Sequence, residues 1–219
     1  MHKLDRDPVA PAGLGKYKPG KHIWNGTSPD PTVRQAIWNK LDAMQGKRCA
    51  YCEAAINPTA QHIEHFVQKG RVPAQTFVWG NLFGSCDRND SCGRHKDHPK
   101  LPPYADADLI KPDVDDPEQL LVFEPFGAVR PRQTLSVRDA QRAAETIRVF
   151  NLNGALKAIR RVELTGYLQT AEMIAEFWAL DPVLGQQALA DELAATAHLP
   201  FATAIKHVLS NQSALENQA

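Results

Sequence analysis

Four cysteines in two tight pairs constrain this chain of 219 residues more than any other feature. Cys49-Ala50-Tyr51-Cys52 is a C-x2-C pair, and Cys86 and Cys92 form a C-x5-C pair after the intervening segment 53–85. Zinc takes about four soft ligands in a tetrahedron, and two turns that each offer two thiolates supply them. The second spacing is wider than the usual one. A redox reading of Cys49 and Cys52 calls for a thioredoxin-like strand–helix–strand context, which the flanking residues lack. Disulfides belong to oxidising compartments. The chain has no apolar run of bilayer length, and its first residues, Met1 to Gly26, are broken by Pro8, Pro11 and Pro19 with no apolar leader core. A cytoplasmic protein with no membrane partner is expected, and one structural Zn²⁺ held by Cys49, Cys52, Cys86 and Cys92.

The formal net charge of zero conceals an asymmetry. Residues 1–100 carry 15 Lys/Arg against 9 Asp/Glu, and residues 101–219 carry 10 against 16. A basic half rich in Cys and His suits a polyanion, although two ordinary solvated surfaces read the same way. Around the cysteines the pattern predicts an α+β fold in four segments. An N-terminal arm and helix fill 1–48, the cysteine module 49–100, an acidic linker and hairpin 101–135, and a helical region 136–219.

Asp30 as N-cap, Pro31 at the first helical position and Gly46 as terminator frame the first helix, with Val33, Ile37, Leu41 and Met44 on one apolar face. Two short strands are expected between Cys49 and Lys69 around Asn57-Pro58, and a short helical piece over Asn81–Cys86. The acidic segment 105–118 reads as a solvated linker. A hairpin is expected from Leu120–Val122 and Ala128–Arg130 about Pro125-Phe126-Gly127. Ser136 caps a helix whose buried stripe is Val137, Ala140, Ala144, Ile147 and Phe150. Further helices follow, and the tail 212–219 is expected to fray. Trp24 is a possible anchor of the arm, and Trp38, Trp79 and Trp178 read as core or interface anchors.

Between and beyond the pairs stand Ile63-Glu64-His65-Phe66, Trp79-Gly80-Asn81-Leu82, Ser85-Cys86 and Cys92-Gly93-Arg94-His95-Lys96. With Cys49–Glu53, and with Glu145–Asn153 further on, this order resembles the HNH endonucleases, more specifically the PtuB group of Septu and retron-associated antiphage systems. The resemblance implies a ββα-metal module in which Glu64 ligates Mg²⁺ or another divalent cation and His65 is the general base for attack of water on phosphorus. It further implies that Asn81 fastens the loop orienting His65. Lys69, Arg71, Arg94 and Lys96 are candidate phosphate contacts as a group, although any one of them taken alone reads more readily as a plain surface charge. Partners implied are a nucleic acid substrate, DNA or RNA, an ABC/SMC-like ATPase of the PtuA type, and in some systems a retron reverse transcriptase complex.

Two departures stand out. Glu64 replaces the commoner aspartate. Gly93 occupies the position after the last cysteine, where the family often places a metal-binding Asn or His. His95 is the expected substitute, with Asp87 and Asp97 as competitors. His62 shares a strand face with Glu64 and is a further candidate ligand, although a satisfied or exposed histidine is the plainer reading. The competing class is a non-catalytic zinc knuckle that binds nucleic acid or protein, which has no need of a Glu-His pair between its metal ligands.

Overall fold

The computed structural model describes residues 1–211, so the tail 212–219 lies outside the described residues. Helix α1 (Pro31–Gln45) starts and stops where its caps predict. The Asp30 carboxylate accepts from the Val33 amide, and Gly46 adopts the left-handed conformation (φ 61°) that closes the helix. Val33, Ile37 and Leu41 are buried as expected, joined by Gln45, whose polar side chain gave no such signal.

Strand β1 (Gln61–His65) pairs antiparallel with β2 (Leu82–Cys86) in the register Glu64 to Phe83 and His65 to Leu82. Segment 82–86 is therefore a strand, not the expected helical piece, and the turn at Asn57 joins no strand pair of its own. The only pairing there is an isolated bridge between Arg48 and Ala55. The reason is tertiary. Every residue of β2 is buried, β1 covers one edge, and Gln45 binds the other. The Gln45 side chain accepts from the Gly84 amide at 2.8 Å and donates to the Gly84 carbonyl at 2.9 Å, acting as one residue of an additional strand. A short helix, α2 (Cys92–Lys96), follows β2 and completes a strand–strand–helix unit.

The hairpin β3 (Leu121–Phe123) and β4 (Val129–Pro131) forms one residue later than expected. Helix α3 (Val137–Val149) is capped by Ser136 but rotated from the expected phase. Val137 is 90% exposed, while Ala143, Thr146 and Val149 are buried. Thr146 explains the rotation, because its hydroxyl accepts from the Ile110 amide at 2.8 Å and fixes α3 against the acidic segment. That segment is no solvated linker. Asp113 pairs with Arg6 and Lys111, Asp115 with Arg142, and Asp108 with Arg138.

Helices α4 (Ala155–Leu180), α5 (Pro182–Thr196) and α6 (Ala202–Leu209) pack on one another, and α6 returns to the first cysteine turn. Glu53 accepts from the Thr203 amide at 3.0 Å and from the Thr203 hydroxyl at 2.6 Å. Buried residues of the cysteine turns, the hairpin, α3, α4 and α6 form a single core, so the cysteine module and the helical region share their interior. Val162, Met173, Leu180, Val183 and Leu184 remain exposed on α4 and α5, as does much of Trp178. Among the described residues no helix is long and apolar enough to cross a membrane.

Candidate metal centre and the adjoining cleft

The first cysteine turn is closed locally. The Glu53 amide donates to the Cys49 carbonyl at 3.0 Å, and the Cys49 amide to the Ala54 carbonyl at 2.9 Å, with Glu53 left-handed (φ 63°). The Ala50 amide docks this turn on the Gly84 carbonyl of β2 at 3.0 Å. The second pair comes from the end of β2 and the start of α2, where Cys92 is also left-handed (φ 53°) and its amide donates to the Phe150 carbonyl at 2.9 Å. Tyr51 stacks on Phe150 with ring centroids 4.1 Å apart, tying both turns to the end of α3.

All four sulfurs are buried and lie within 4.8 Å of one another. The Cys52–Cys86 sulfur separation is 3.9 Å. A tetrahedron with zinc–sulfur bonds of about 2.3 Å has edges of about 3.8 Å, close to the Cys52–Cys86 separation, so the set could hold a zinc ion. The thiols are unequal in charge preference: burial opposes the Cys49 thiolate, but contact with the other three cysteines outweighs it and holds the Cys49 thiol well below its usual range. Contact with Cys49 pushes the Cys52 thiol up and burial pushes Cys92 up, since added negative charge here has no water to stabilise it. A dication reverses that balance. Arg160, fully buried, favours the same thiolates and donates to the carbonyls of Gly127 and Leu152, while its Nη1 has no hydrogen-bond partner.

Beside this centre opens a cleft of about 560 Å³, lined among others by His62, Glu64, His65, Lys69, Gly93, Arg94, Asp97 and His98. Glu64 is buried at its floor. Its Oε1 lies 2.8 Å from the Lys96 ammonium and its Oε2 lies 3.1 Å from His62 Nε2. Burial opposes the carboxylate charge, but Lys96 and then His62 outweigh it and hold the Glu64 pKa below the ordinary value. Gly93 is what admits this carboxylate: a Cβ at that position would stand 2.4 Å from Glu64 Oε2.

His65 ends β1, and its Nε2 faces the Thr76 carbonyl at 3.0 Å. A carbonyl only accepts, so Nε2 carries the proton and Nδ1 keeps the lone pair. Burial, reinforced by Lys69, pushes the His65 pKa down to about 4, leaving the ring neutral at neutral pH. Trp24 from the N-terminal arm packs edge-to-face on this ring, with centroids 4.5 Å apart. Asn81 clamps the surrounding loops. Its Oδ1 accepts from the Val67 amide at 2.7 Å, and its Nδ2 donates to the carbonyls of Val67 at 2.9 Å and Gln75 at 3.0 Å. Thr76, which fixes His65, is the next residue.

Glu64, His65, Lys69 and Arg94 thus line one cleft, with Lys96 against Glu64, while Asn81 clamps the neighbouring loops without lining it. Nor does His95 line it: its Nδ1 engages the Val149 carbonyl at 2.9 Å, so it faces α3 instead of the cleft. Lys96, expected as a surface contact for phosphate, is buried between Glu64 and Asp97. Arg71 lies on the Tyr104 ring in an adjoining depression of about 330 Å³ that shares Asp97, His98 and Pro99 with the cleft. Sequence reasoning missed His98 and the contact of Trp24 with His65. It undervalued His62, although two-residue alternation already placed that side chain with Glu64.

Fold and site together define a mixed helix and small-sheet protein with a buried four-thiol centre suited to zinc, beside a cleft holding a Glu-His pair. No family model matches the chain. Over 91 residues it is 33% identical to Septu protein PtuB of Bacillus thuringiensis, a stretch that covers 37% of this chain and 33% of that protein. The similarity supports a relation to Septu proteins, and the chain matches about a third of that relative's own length.

Proposed function

We propose that the chain is an HNH-type nuclease, a metal-dependent phosphodiesterase that cuts nucleic acid as the effector of an antiphage system. The observation that carries this reading is His65. A buried, neutral imidazole with Nε2–H fixed on the Thr76 carbonyl keeps its lone pair on Nδ1, the form a general base needs, and it lines the same cleft as Glu64. In the reaction His65 takes a proton from water as that water attacks phosphorus. Asn81 is a positioning residue that holds the loop bearing the Thr76 carbonyl. Lys69, Arg94 and, in the adjoining depression, Arg71 offer positive charge to the backbone phosphates on either side.

The donor chemistry of the cleft fits a divalent cation at Glu64, the carboxylate nearest His65. Such an ion, when bound, polarises the phosphate and stabilises the departing oxygen. Zinc among four thiolates has no open coordination position and is left to hold the fold. A defence role, and a PtuA-type ATPase as partner with a retron reverse transcriptase complex in some systems, rest on the similarity to PtuB.

One observation favours the competing reading of a zinc-knuckle binding module: Lys96 already neutralises Glu64. The test separating the two is His65→Ala in the full chain, assayed on DNA and RNA with added Mg²⁺ or Mn²⁺. Loss of cleavage by about a hundredfold or more, with zinc content and melting curve unchanged, is expected. Cleavage at the wild-type rate would refute the nuclease mechanism.

A further inference from the structure

His62 is a residue to which neither the resemblance nor the similarity to PtuB gives a role. Both of its ring nitrogens face carboxylates: Nε2 lies 3.1 Å from Glu64 Oε2, and Nδ1 lies 3.4 Å from Asp87 Oδ1. A neutral imidazole has one N–H, so it satisfies one of these oxygens and turns a lone pair on the other. When that N–H sits on Nδ1, the Nε2 lone pair and Oε2 face each other as two donors that one cation between them would satisfy.

Geometry points to the metal. Two neighbouring ligands of an octahedral ion, each bonded at about 2.1 Å, stand about 3.0 Å apart. The 3.1 Å between His62 Nε2 and Glu64 Oε2 matches that edge. The other Glu64 oxygen is held by Lys96, which orients the carboxylate and leaves Oε2 for the cleft. Asp87, 3.4 Å from Nδ1, stands close enough to serve as the outer carboxylate that metal-bound histidines characteristically have, and Arg94 in turn holds Asp87 through its Nε at 2.6 Å. Gly93 keeps the face of Oε2 free of a side chain.

We infer that His62 and Glu64 together form the binding pair for the cleft's metal ion. His62 takes over the place that Gly93 leaves without a ligand and that His95 does not reach. This inference rests on the proposed nuclease site and names its metal more closely. An imidazole beside one carboxylate is a borderline donor set, suited to Mn²⁺ or a neighbouring first-row ion, whereas Mg²⁺ prefers oxygen ligands.

The test is Mn²⁺ titration of the full-length, zinc-loaded protein, followed by loss of the free-ion signal in electron paramagnetic resonance. Wild type is expected to take up one Mn²⁺ per chain and to release little of it to equal Mg²⁺. His62→Ala, His62→Gln and Glu64→Gln are each expected to weaken uptake by about tenfold or more, while His95→Ala leaves it unchanged. Two His62 variants guard against one that fails to fold, and zinc content and melting curves show which remain native. No uptake by wild type, full uptake by a folded His62 variant, or loss in His95→Ala would each overturn the inference. Cleavage assays on the same proteins separate it from the nuclease reading. Active wild type with Mn²⁺ still bound in a His62 variant defeats the inference alone. Mn²⁺ bound through His62 in a wild type that cuts no nucleic acid defeats the nuclease reading alone.

Discussion

Replacing Gly93 with alanine adds one methyl group and tests how the cleft is built. The new Cβ would stand 2.4 Å from Glu64 Oε2, 2.6 Å from Cδ and 2.9 Å from Cγ, all well inside ordinary contact. Glu64 must then move by about 1 Å, a typical contact being about 3.5 Å or more. A shift of that size breaks the 2.8 Å pair with Lys96 and the 3.1 Å pair with His62. Separating a buried ion pair costs about 3–5 kcal/mol. Helix propensity works the other way, because alanine in α2 is better than glycine by about 0.5–1 kcal/mol. A net loss of about 2–4 kcal/mol remains, which in a domain of this size lowers Tm by about 4–16 °C. Calorimetry on zinc-loaded protein measures it. The double variant isolates the cause: in a Glu64→Ala background the clash has no partner, so Gly93→Ala should cost nothing there. A single variant within about 0.5 kcal/mol of wild type, or an equal loss in both backgrounds, would refute this account of Gly93.

Three further outcomes follow from the same geometry. Asn81→Ala removes three partly buried hydrogen bonds and should destabilise the protein by about 2–4 kcal/mol in denaturant unfolding; a loss below about 1 kcal/mol would contradict the clamp. His65, with a folded pKa of about 4 against an ordinary 6.5, contributes stability above about pH 6.5 that is lost as pH falls toward 4. The acid limb of cleavage should therefore lie well below pH 6.5, and Trp24→Ala, which rehydrates the ring, should raise it toward 6.5 in both the rate profile and an NMR titration of His65. Chelation that strips the four-thiol centre should abolish the near-ultraviolet circular dichroism of Tyr51 as its stack on Phe150 is lost, and Cys52→Ser should purify with little zinc; a chelated protein with native dichroism would show that the thiols need no metal.

Local rules fixed much of this molecule in advance. Asp30, Pro31 and Gly46 framed α1 because capping is settled within a few residues, and Ser136 did the same for the start of α3. The four cysteines announced one shared centre because soft ligands paired at short spacing have few other uses, and the sulfurs do converge. Glu64, His65 and Asn81 were visible as a motif, and the structure sets them around one loop. Long-range contact decided the rest. Segment 82–86 is a strand because Gln45 and β1 bind its two edges, and neither partner is a sequence neighbour. The phase of α3 turned on Thr146 meeting Ile110, a contact that apolar periodicity cannot register. His95 turned to Val149 because α3 docks against α2, and Lys96 turned inward because Glu64 lay there to receive its charge. Residue types and spacing can state which chemistry a chain carries. Which of two neighbouring histidines faces the cleft depends on the packing of elements far apart in the chain.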